Sequence, residues 1–314
     1  MVVLGIDIGG TQIRAGMVDE KGAILASRTI PTPNDLDGLL PSLQDAIHWL
    51  LEATTLPAGV GIGCKGIINP DTTEVEILPG PLHFLEGLRL SNLTGLPMDV
   101  PVFADNDARS ALAGERIWGA ARGHDNVLML TLGGGVGGAV IANGHLLRGH
   151  SGVAGHLGHI TIDPDGPLCA CGNRGCLETV FSARAIEGEA RAAVHRGCVS
   201  TLTRLFREQP QLATCRTIFQ AASEGDALSI AIVSKAIRRL GAGIAGLLHV
   251  FDPELVIIGG QVADAGEELL EPLREEVWNR SRGLLGREVP LVEQQVADNS
   301  GIVGAAGLVM APRG

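Results

Sequence analysis

The sequence has few aromatic residues and no cluster of basic ones. Aromatic residues make up 3% of the 314 residues, tyrosine is absent, and the formal net charge is -11. Nucleic-acid backbones are bound by clustered lysine and arginine, so this acidic balance argues against a nucleic-acid partner. It does not exclude a nucleotide ligand, because backbone amides can hold phosphates locally. A hydrophobic share of 45% with 44 glycines predicts an α/β protein rich in tight turns.

A long hydrophobic run and a secretory leader are also missing. The most apolar stretch, residues 241–260, is interrupted by His249, Asp252 and Glu254, which argues against a membrane span. Met1 leads directly into a strand-like run without a basic segment or a cleavage site. Because the cysteines are clustered and no leader is evident, we expect a cytoplasmic protein with reduced thiols.

The chain is long enough for two domains, and no linker rich in Pro, Gly or Ser divides it. A strand, a glycine turn and a second strand occur near residues 2–18 and again near residues 126–142, which predicts an internally duplicated fold. We expect an N-terminal α/β domain over 1–118, joined by the C-terminal helix 300–312. A larger C-terminal α/β domain is expected over 119–299.

Hydrophobic periodicity predicts the individual elements. Strands are predicted at 2–8, 13–18, 24–30, 60–64, 102–104, 126–132, 139–142, 255–258 and 291–297. Helices are predicted at 36–53, 107–118, 183–196, 217–224, 227–249, 266–281 and 301–310.

A histidine and three cysteines stand within eighteen residues, among glycines and a proline turn. His159, Cys169, Cys171 and Cys176 supply one imidazole and three thiolates, which is a full ligand set for tetrahedral zinc. The alternative is a set of ordinary thiols, which this spacing disfavours. Since protein atoms fill all four positions, we expect a structural zinc site. The ion would also hold Glu178, which follows two residues after the last cysteine.

Two glycine turns follow strands and are candidate phosphate sites. Gly9, Gly10 and Thr11 follow Asp7, a carboxylate suited to hold a water on Mg²⁺. Residues 133–138 include five glycines, more than a hairpin turn requires. For the first turn, the alternative is a plain hairpin, since neither the Walker nor the dinucleotide spacing is present. Residues 259–260 form a weaker candidate, where an adenine ring could lie against the backbone.

Asn106 and Asp107 open a predicted helix after a buried strand. One interpretation is a helix N-cap, which Asn and Asp both favour. The other is a general base that takes the proton from a substrate hydroxyl as it attacks phosphorus. Both interpretations hold if one residue caps the helix and its neighbour reacts. The remaining cysteines, Cys64, Cys198 and Cys215, are expected to be small buried apolar residues.

Together these motifs resemble the ROK family of bacterial sugar kinases, within the actin-like, hexokinase-type ATPase superfamily. The resemblance covers nearly the whole chain. It is carried by L-G-I-D-I-G-G-T at 4–11, D-N-D-A at 105–108, L-G-G-G-V-G-G at 132–138, G-H-I-T-I-D at 158–163, C-A-C-G-N-R-G-C-L-E at 169–178 and I-I-G-G at 257–260.

The resemblance implies two ribonuclease H-like domains with a cleft between them, and an ATP-dependent hexokinase activity, with glucose converted to glucose 6-phosphate. It implies ATP, Mg²⁺ and structural zinc as cofactors, and a homodimer. Asp107 matches the catalytic base. The matching sugar-binding positions are Asn106, His156, His159, Glu178 and Gly66. The matching nucleotide-binding positions are Asp7, Gly9, Gly10, Thr11, Gly133, Gly134, Gly135, Gly259 and Gly260.

This chain departs from the family pattern at three places. His156 stands where a sugar-binding glutamate is usual, and Gly134 stands where the second glycine loop usually has threonine. Lys65 replaces a small residue near the expected sugar site. These departures leave three alternatives open. The sugar could be an N-acetylated hexosamine or fructose, and the phosphoryl donor could be polyphosphate. The protein could also be a sugar sensor with weak catalysis. Regulatory members carry an N-terminal helix-turn-helix, for which a first phosphate loop near residue 7 leaves no room, so we expect a kinase.

Overall fold

The computed structural model describes residues 1–296 and 300–311. These residues form two compact units. The first contains residues 1–125, 139–155 and the described part of 294–314, and the second contains residues 126–138 and 156–293. The ends predicted at residues 299 and 312 lie outside the described residues, and the predicted boundary after Trp118 stays a prediction.

The first half of the chain forms a five-stranded sheet, a separate two-stranded sheet and two helices. Its elements are β1 (Val2–Ile8), β2 (Gln12–Asp19), β3 (Ile24–Pro31), α1 (Leu36–Ala53), β4 (Val60–Cys64), β5 (Ile67–Ile68), β6 (Val75–Ile77), β7 (Val102–Asn106) and α2 (Asp107–Trp118). The strand order of the five-stranded sheet is β3-β2-β1-β4-β7, and the two-stranded sheet is made of β5 and β6. The pairs β3-β2 and β2-β1 are antiparallel, whereas β1, β4 and β7 are parallel, so the last three strands end at one edge of the sheet.

The rest of the chain repeats this arrangement. Its elements are β8 (Val127–Leu132), β9 (Val136–Ala142), β10 (His145–Leu146), α3 (Leu177–Val180), α4 (Ala183–His195), α5 (Thr203–Glu208), α6 (Cys215–Ser223), α7 (Ala227–Phe251), β11 (Leu255–Gly259), α8 (Glu267–Leu285), β12 (Leu291–Glu293) and α9 (Ser300–Met310). The second sheet has the order β10-β9-β8-β11-β12, which matches the first sheet strand for strand. The predicted duplication is therefore confirmed in the topology.

The core of the first unit lies between its sheet and α1. Asp35 caps this helix by accepting the Gly38 N–H at 2.8 Å. The helix then buries Leu39, Leu43 and Leu50 along one face against the sheet. This spacing of three and four residues is the pattern that predicts an amphipathic helix, and the observed bounds equal the predicted ones.

The opposite face of the same sheet is covered by α9, which is built largely from small residues. A Cβ at Gly5 of β1 would overlap the carbonyl of Ile302, and one at Gly61 of β4 would overlap that of Ala305. Glycine at these two strand positions therefore lets the helix backbone lie directly on the strands.

The structure differs from the sequence predictions mainly in short elements. The strands β5, β6 and β10 and the helices α3 and α5 were not predicted, because each is too short to show a hydrophobic period. The strand predicted from residue 139 begins at Val136, so the second glycine turn is confined to residues 133–135. Cys198 is exposed, contrary to the expectation of burial, whereas Cys64 and Cys215 are buried. Within the described ranges, no helix has the length and apolar character to cross a membrane.

Candidate active site

The first glycine turn joins β1 to β2 and is held by its own hairpin. The Gly9 N–H donates to the Gln12 carbonyl at 3.1 Å, and the Thr32 hydroxyl donates to the Gly9 carbonyl at 2.7 Å. Gly10 and Thr11 are exposed, and a Cβ at Gly10 would have no atom within 4 Å. The turn therefore presents an open stretch of backbone on which a phosphate can be accommodated.

Two carboxylates lie at the edge where the parallel strands end. Asp7 is near the end of β1, and Asp107 follows β7 directly, two strands away. Burial and, to a smaller extent, the charge of Asp107 raise the pKa of Asp7 to about 6, although Arg14, 3.6 Å away, acts to lower it. Since two carboxylates repel each other here, the edge favours a cation. Burial, with these same two carboxylates, raises the pKa of the Cys64 thiol, which is consequently held neutral.

Asn106 and Asp107 both lie at the start of α2. Asn106 is the N-cap, and its side-chain oxygen accepts the Ala108 N–H at 3.0 Å. Its amide group donates to the Gly66 carbonyl at 3.1 Å, which brings two of the predicted sugar-binding positions together. Asp107 is the first residue of the helix, is exposed, and accepts the same Ala108 N–H at 2.9 Å. Asn106 therefore caps the helix whether or not Asp107 keeps this bond, and the role of Asp107 as a base stays a prediction.

Gly66 occupies a position that only glycine fits. Its φ is +97°, and a Cβ there would overlap the carbonyl of Ile77. The adjacent Lys65 is exposed at the end of β4. The structure thus gives Gly66 a backbone role in addition to its predicted place beside the substrate.

A buried ion-pair network behind Asp107 was not identified from the sequence. Asp105 is 1% exposed and pairs with Arg109 at 2.9 Å and with Arg148 at 2.8 Å. The same carboxylate accepts the Asn106 N–H at 2.8 Å, and Arg109 also donates to the Ala154 carbonyl at 2.7 Å. The network fixes the backbone that carries Asn106 and Asp107. The spacing of Asp105 and Arg109, four residues apart across a helix start, was the available signal.

The predicted metal ligands are brought together in the second unit. The ligand atoms of His159, Cys169, Cys171 and Cys176 all lie within 4.8 Å of one another. The Cys171 and Cys176 sulfurs are 3.6 Å apart, as are the Cys169 sulfur and the His159 Nδ1. Tetrahedral zinc with its usual bond lengths requires about 3.8 Å between two sulfurs and about 3.6 Å between sulfur and nitrogen. The donor set and its spacing therefore fit zinc.

The second glycine turn is held by residues that flank this cluster. The Glu178 carboxylate, two residues after Cys176, accepts the Val136 N–H at 2.9 Å. Gly158, one residue before His159, lies so close to Val136 that a Cβ on it would overlap the Val136 carbonyl. Both the N–H and the C=O of Val136, the residue that follows the turn, therefore lie against the segment that contains the candidate metal ligands. Glu178 was predicted as a sugar contact held in place by the ion, and its bond to Val136 was missed.

His156 and His159 lie side by side near the start of the same segment. Their rings are stacked, with centroids 6.4 Å apart and an angle of 17° between the planes. His156 is the residue that precedes the short 3₁₀ turn Leu157–His159. The His156 imidazole, which stands where the family pattern has a glutamate, is thus next to the ring of His159, a candidate metal ligand.

The glycines after β11 have a packing role of their own. Gly260 has a φ of +86°, and the neighbouring Val262 N–H donates to the Leu132 carbonyl at 2.9 Å. A Cβ at Gly260 would lie 2.5 Å from that carbonyl oxygen. Close contact with the end of β8 explains this glycine, and its role beside adenine, like that of Gly259, stays a prediction.

Two sheets of one strand order, each with a glycine turn after its first parallel strand, define an actin-like, hexokinase-type ATPase fold. A family model described as ROK family matches residues 3–311, so the chain belongs to the ROK family. A ROK family glucokinase from Streptomyces griseus, solved in complex with glucose and AMPPNP, is similar at a TM-score of 0.83 and 34% identity, over 98% of this chain and 99% of that one.

Two curated relatives are similar over nearly their full length. A glucokinase from Thermotoga maritima is 35% identical over 309 residues, which are 98% of this chain and 96% of that protein. An N-acetylmannosamine kinase from Citrobacter koseri is 34% identical over 315 residues, which are 98% of this chain and 98% of that protein. This chain is therefore about equally similar to two kinases that are named for different sugars.

Proposed function

We propose that this chain is an ATP-dependent glucose kinase that transfers the terminal phosphoryl group of ATP to a hydroxyl of glucose. The observation that carries the proposal is the exposed carboxylate of Asp107, the first residue of α2, behind which Asn106 provides the helix cap. Such a carboxylate can accept the proton of the attacking hydroxyl. The glucokinase relatives support glucose as the sugar.

The remaining site residues divide by chemistry. Asn106, His156, His159, Glu178 and the backbone at Gly66 offer donors and acceptors for sugar hydroxyls. The two glycine turns offer backbone N–H groups for phosphates, and Gly259 and Gly260 offer a flat backbone surface for adenine. We assign the sugar and the nucleotide to these two sets of residues.

The residues at the strand edge fit a magnesium ion. Asp7 and Asp107 are near enough for one charge to raise the pKa of the other, and Mg²⁺ prefers carboxylate oxygens and water. When bound with ATP, the ion would neutralise charge that develops on the phosphates. Asp7 would hold it through water, leaving Asp107 to accept the proton.

Zinc is proposed at the site of His159, Cys169, Cys171 and Cys176, since the spacing of their ligand atoms fits a tetrahedral ion. Its role would be structural, because protein atoms fill every position. A cytoplasmic location is proposed from the clustered cysteines, and a homodimer from the family resemblance.

Asp107→Asn tests the proposal. We expect phosphorylation of glucose to fall by about 10²- to 10⁴-fold, because the amide cannot accept the proton. The melting temperature and the affinity for glucose should hardly change, since Asn106 still caps α2. ADP release measured with glucose and ATP reports the rate. Asp99→Asn, at an exposed position of the same unit, is the matched control. Full turnover in Asp107→Asn would remove this residue from its role.

A second candidate substrate is an N-acetylated hexosamine. It is favoured by the relative that acts as an N-acetylmannosamine kinase and by His156, whose imidazole cannot accept two hydroxyls as a carboxylate does. The same assay with N-acetylmannosamine and fructose separates these substrates from glucose. Thermal stabilisation by one sugar, with turnover on none, would instead indicate a sensor.

A further inference from the structure

Arg184 lies over the second glycine turn. A Cβ placed on Gly134 would be 3.4 Å from the Arg184 Nε and 3.6 Å from one of its Nη atoms. The guanidinium therefore borders the space that a side chain at position 134 would enter. This is the position at which the family pattern has a threonine and this chain has none.

The backbone around Arg184 is tied to the same turn. Arg184 belongs to the first turn of α4, and the Ala183 N–H donates to the Gly133 carbonyl at 2.8 Å. Ser182 is 2% exposed and caps the helix by accepting the Ala185 N–H at 3.2 Å. These bonds fix the start of α4 against the glycine turn. The backbone of Arg184 is therefore held near the turn, whatever rotamer its side chain adopts.

The charge of Arg184 is not paired with any residue that the structure describes. Within residues 1–296 and 300–311, its guanidinium has no hydrogen-bond or ion-pair partner, and it is exposed. The first turn of α4 contains no acidic residue. Guanidinium groups bind phosphate oxygens through paired N–H donors, and a helix N-terminus adds a favourable dipole for an anion.

We infer that Arg184 binds the phosphate chain of ATP and supplies, from α4, the donor that Gly134 cannot offer. This inference rests on the proposed kinase function and adds a nucleotide-binding residue to it. The guanidinium then lies beside the position where the family pattern has the threonine hydroxyl. Inorganic polyphosphate carries the same phosphate oxygens, so the donor must be distinguished by experiment.

The test is titration calorimetry with Arg184→Met, which keeps much of the side-chain stem and removes the charge. We expect the affinity for ATP with Mg²⁺ to fall about tenfold, as for loss of one charge-assisted hydrogen bond near the surface, with no change for adenosine or glucose. Arg191→Met is the matched control, since this exposed arginine lies on the same helix about 10 Å further along.

The outcomes separate this inference from the kinase proposal. Unchanged ATP affinity in Arg184→Met, in a protein that phosphorylates glucose, would overturn the inference alone. An equal loss of affinity for adenosine would also overturn it, because Arg184 would then not be binding the phosphates. A loss for polyphosphate without a loss for ATP would overturn the assignment to the nucleotide. If the unaltered protein binds no ATP, the kinase proposal and this inference both fail.

A second measurement uses Gly134→Thr. The backbone accepts this change because Gly134 does not have a positive φ, and a Cβ there would make ordinary contacts with Arg184. The hydroxyl should restore part of the ATP affinity when added to Arg184→Met, and should give little gain when Arg184 is present. Such non-additive effects are expected for two groups that serve one contact. Purely additive effects would contradict a shared phosphate position.

Discussion

The two glycine turns follow equivalent strands of two equivalent sheets, yet they are held in different ways. The first, at residues 9–11, is fixed by a bond within its hairpin and by Thr32, which directly follows β3 in the same run of three strands. The second, at residues 133–135, has a bond of its own between Gly133 and Gly135, and it is also fixed by Gly158 and by Glu178 and Ala183, the last two more than forty residues along the chain. One turn is held within three consecutive strands, and the other also depends on distant segments.

The two glycine turns share a motif, but this contrast indicates that they should respond differently when their surroundings are changed. The supports of the first turn form together with its own strands. Two supports of the second turn, Gly158 and Glu178, lie within two residues of candidate metal ligands, so an ion in the cluster would hold that turn as well. Changes at the cluster should therefore reach one turn and leave the other as it was.

Metal removal should have the largest effect on this comparison. Chelation of the ion, or Cys171→Ala, should destabilise the second unit by roughly 5 kcal/mol or more, because folding and metal binding are coupled at such sites. Hydrogen exchange at residues 133–136 should accelerate at least tenfold, whereas exchange at residues 9–11 should not. Metal analysis of the purified protein measures the zinc content.

Cys198→Ser is the control for that experiment, because Cys198 is also exposed and stands apart from the cluster. It should leave both turns and the zinc content unchanged. Equal acceleration of exchange at the two turns after chelation would contradict the distinction drawn between them. A folded protein with far less than one zinc per chain would contradict the structural role of the ion.

An intermediate effect is expected beside the first turn, from Asp7→Asn. The pKa of Asp7 is raised from 3.8 to about 6, so the fold favours its protonated form. Its contribution to stability is complete below pH 3.8 and is lost as the pH rises through about 6. Removing the carboxylate should stabilise the protein at pH 7 by on the order of 1–3 kcal/mol and flatten the pH dependence between those values.

Urea unfolding at a series of pH values measures this change. Asp45→Asn, at an exposed position of α1, should show no comparable gain. If Asp7→Asn were less stable at pH 7 than the unaltered protein, burial and the charge of Asp107 would not be what dominates at this carboxylate. Activity should fall in the same variant, since the proposed magnesium ligand is removed.

The smallest effect is expected for Glu178→Gln. The amide oxygen can still accept the Val136 N–H, but a neutral acceptor is weaker than a carboxylate, so the second turn should lose about 1 kcal/mol of local stability. Hydrogen exchange at Val136 reports that loss. Protection equal to that of the unaltered protein would show that this bond does not hold the turn. The first turn should be unaffected.

Long, periodic elements and compact motifs were predictable from the sequence. The helices α1 and α2 have the predicted bounds, because their apolar spacing and the Asn106 cap are local signals. The four metal ligands were identified from their spacing, and the structure brings them together. The repeated strand and glycine pattern indicated the duplication that the two sheet orders confirm.

Contacts between segments far apart in the chain were not predictable. Nothing local to Glu178 indicates that it accepts the Val136 N–H, and nothing local to Arg184 indicates that it borders Gly134. Asp105 was part of a recognised motif, yet its burial with Arg148 depends on a loop forty-three residues away. Sequence patterns therefore identify candidate site residues better than they identify the long-range contacts that position those residues.

The packing of α9 on β1 and β4 has a consequence for the order in which the protein folds during its synthesis. The first unit contains residues 1–125, which are made before most of the second unit, but one face of its sheet is covered by residues 300–310, which are made after it. The second unit has all of its residues by position 293. The unit that is begun first is therefore expected to be completed second, with one face of β1 and β4 uncovered until α9 has been made.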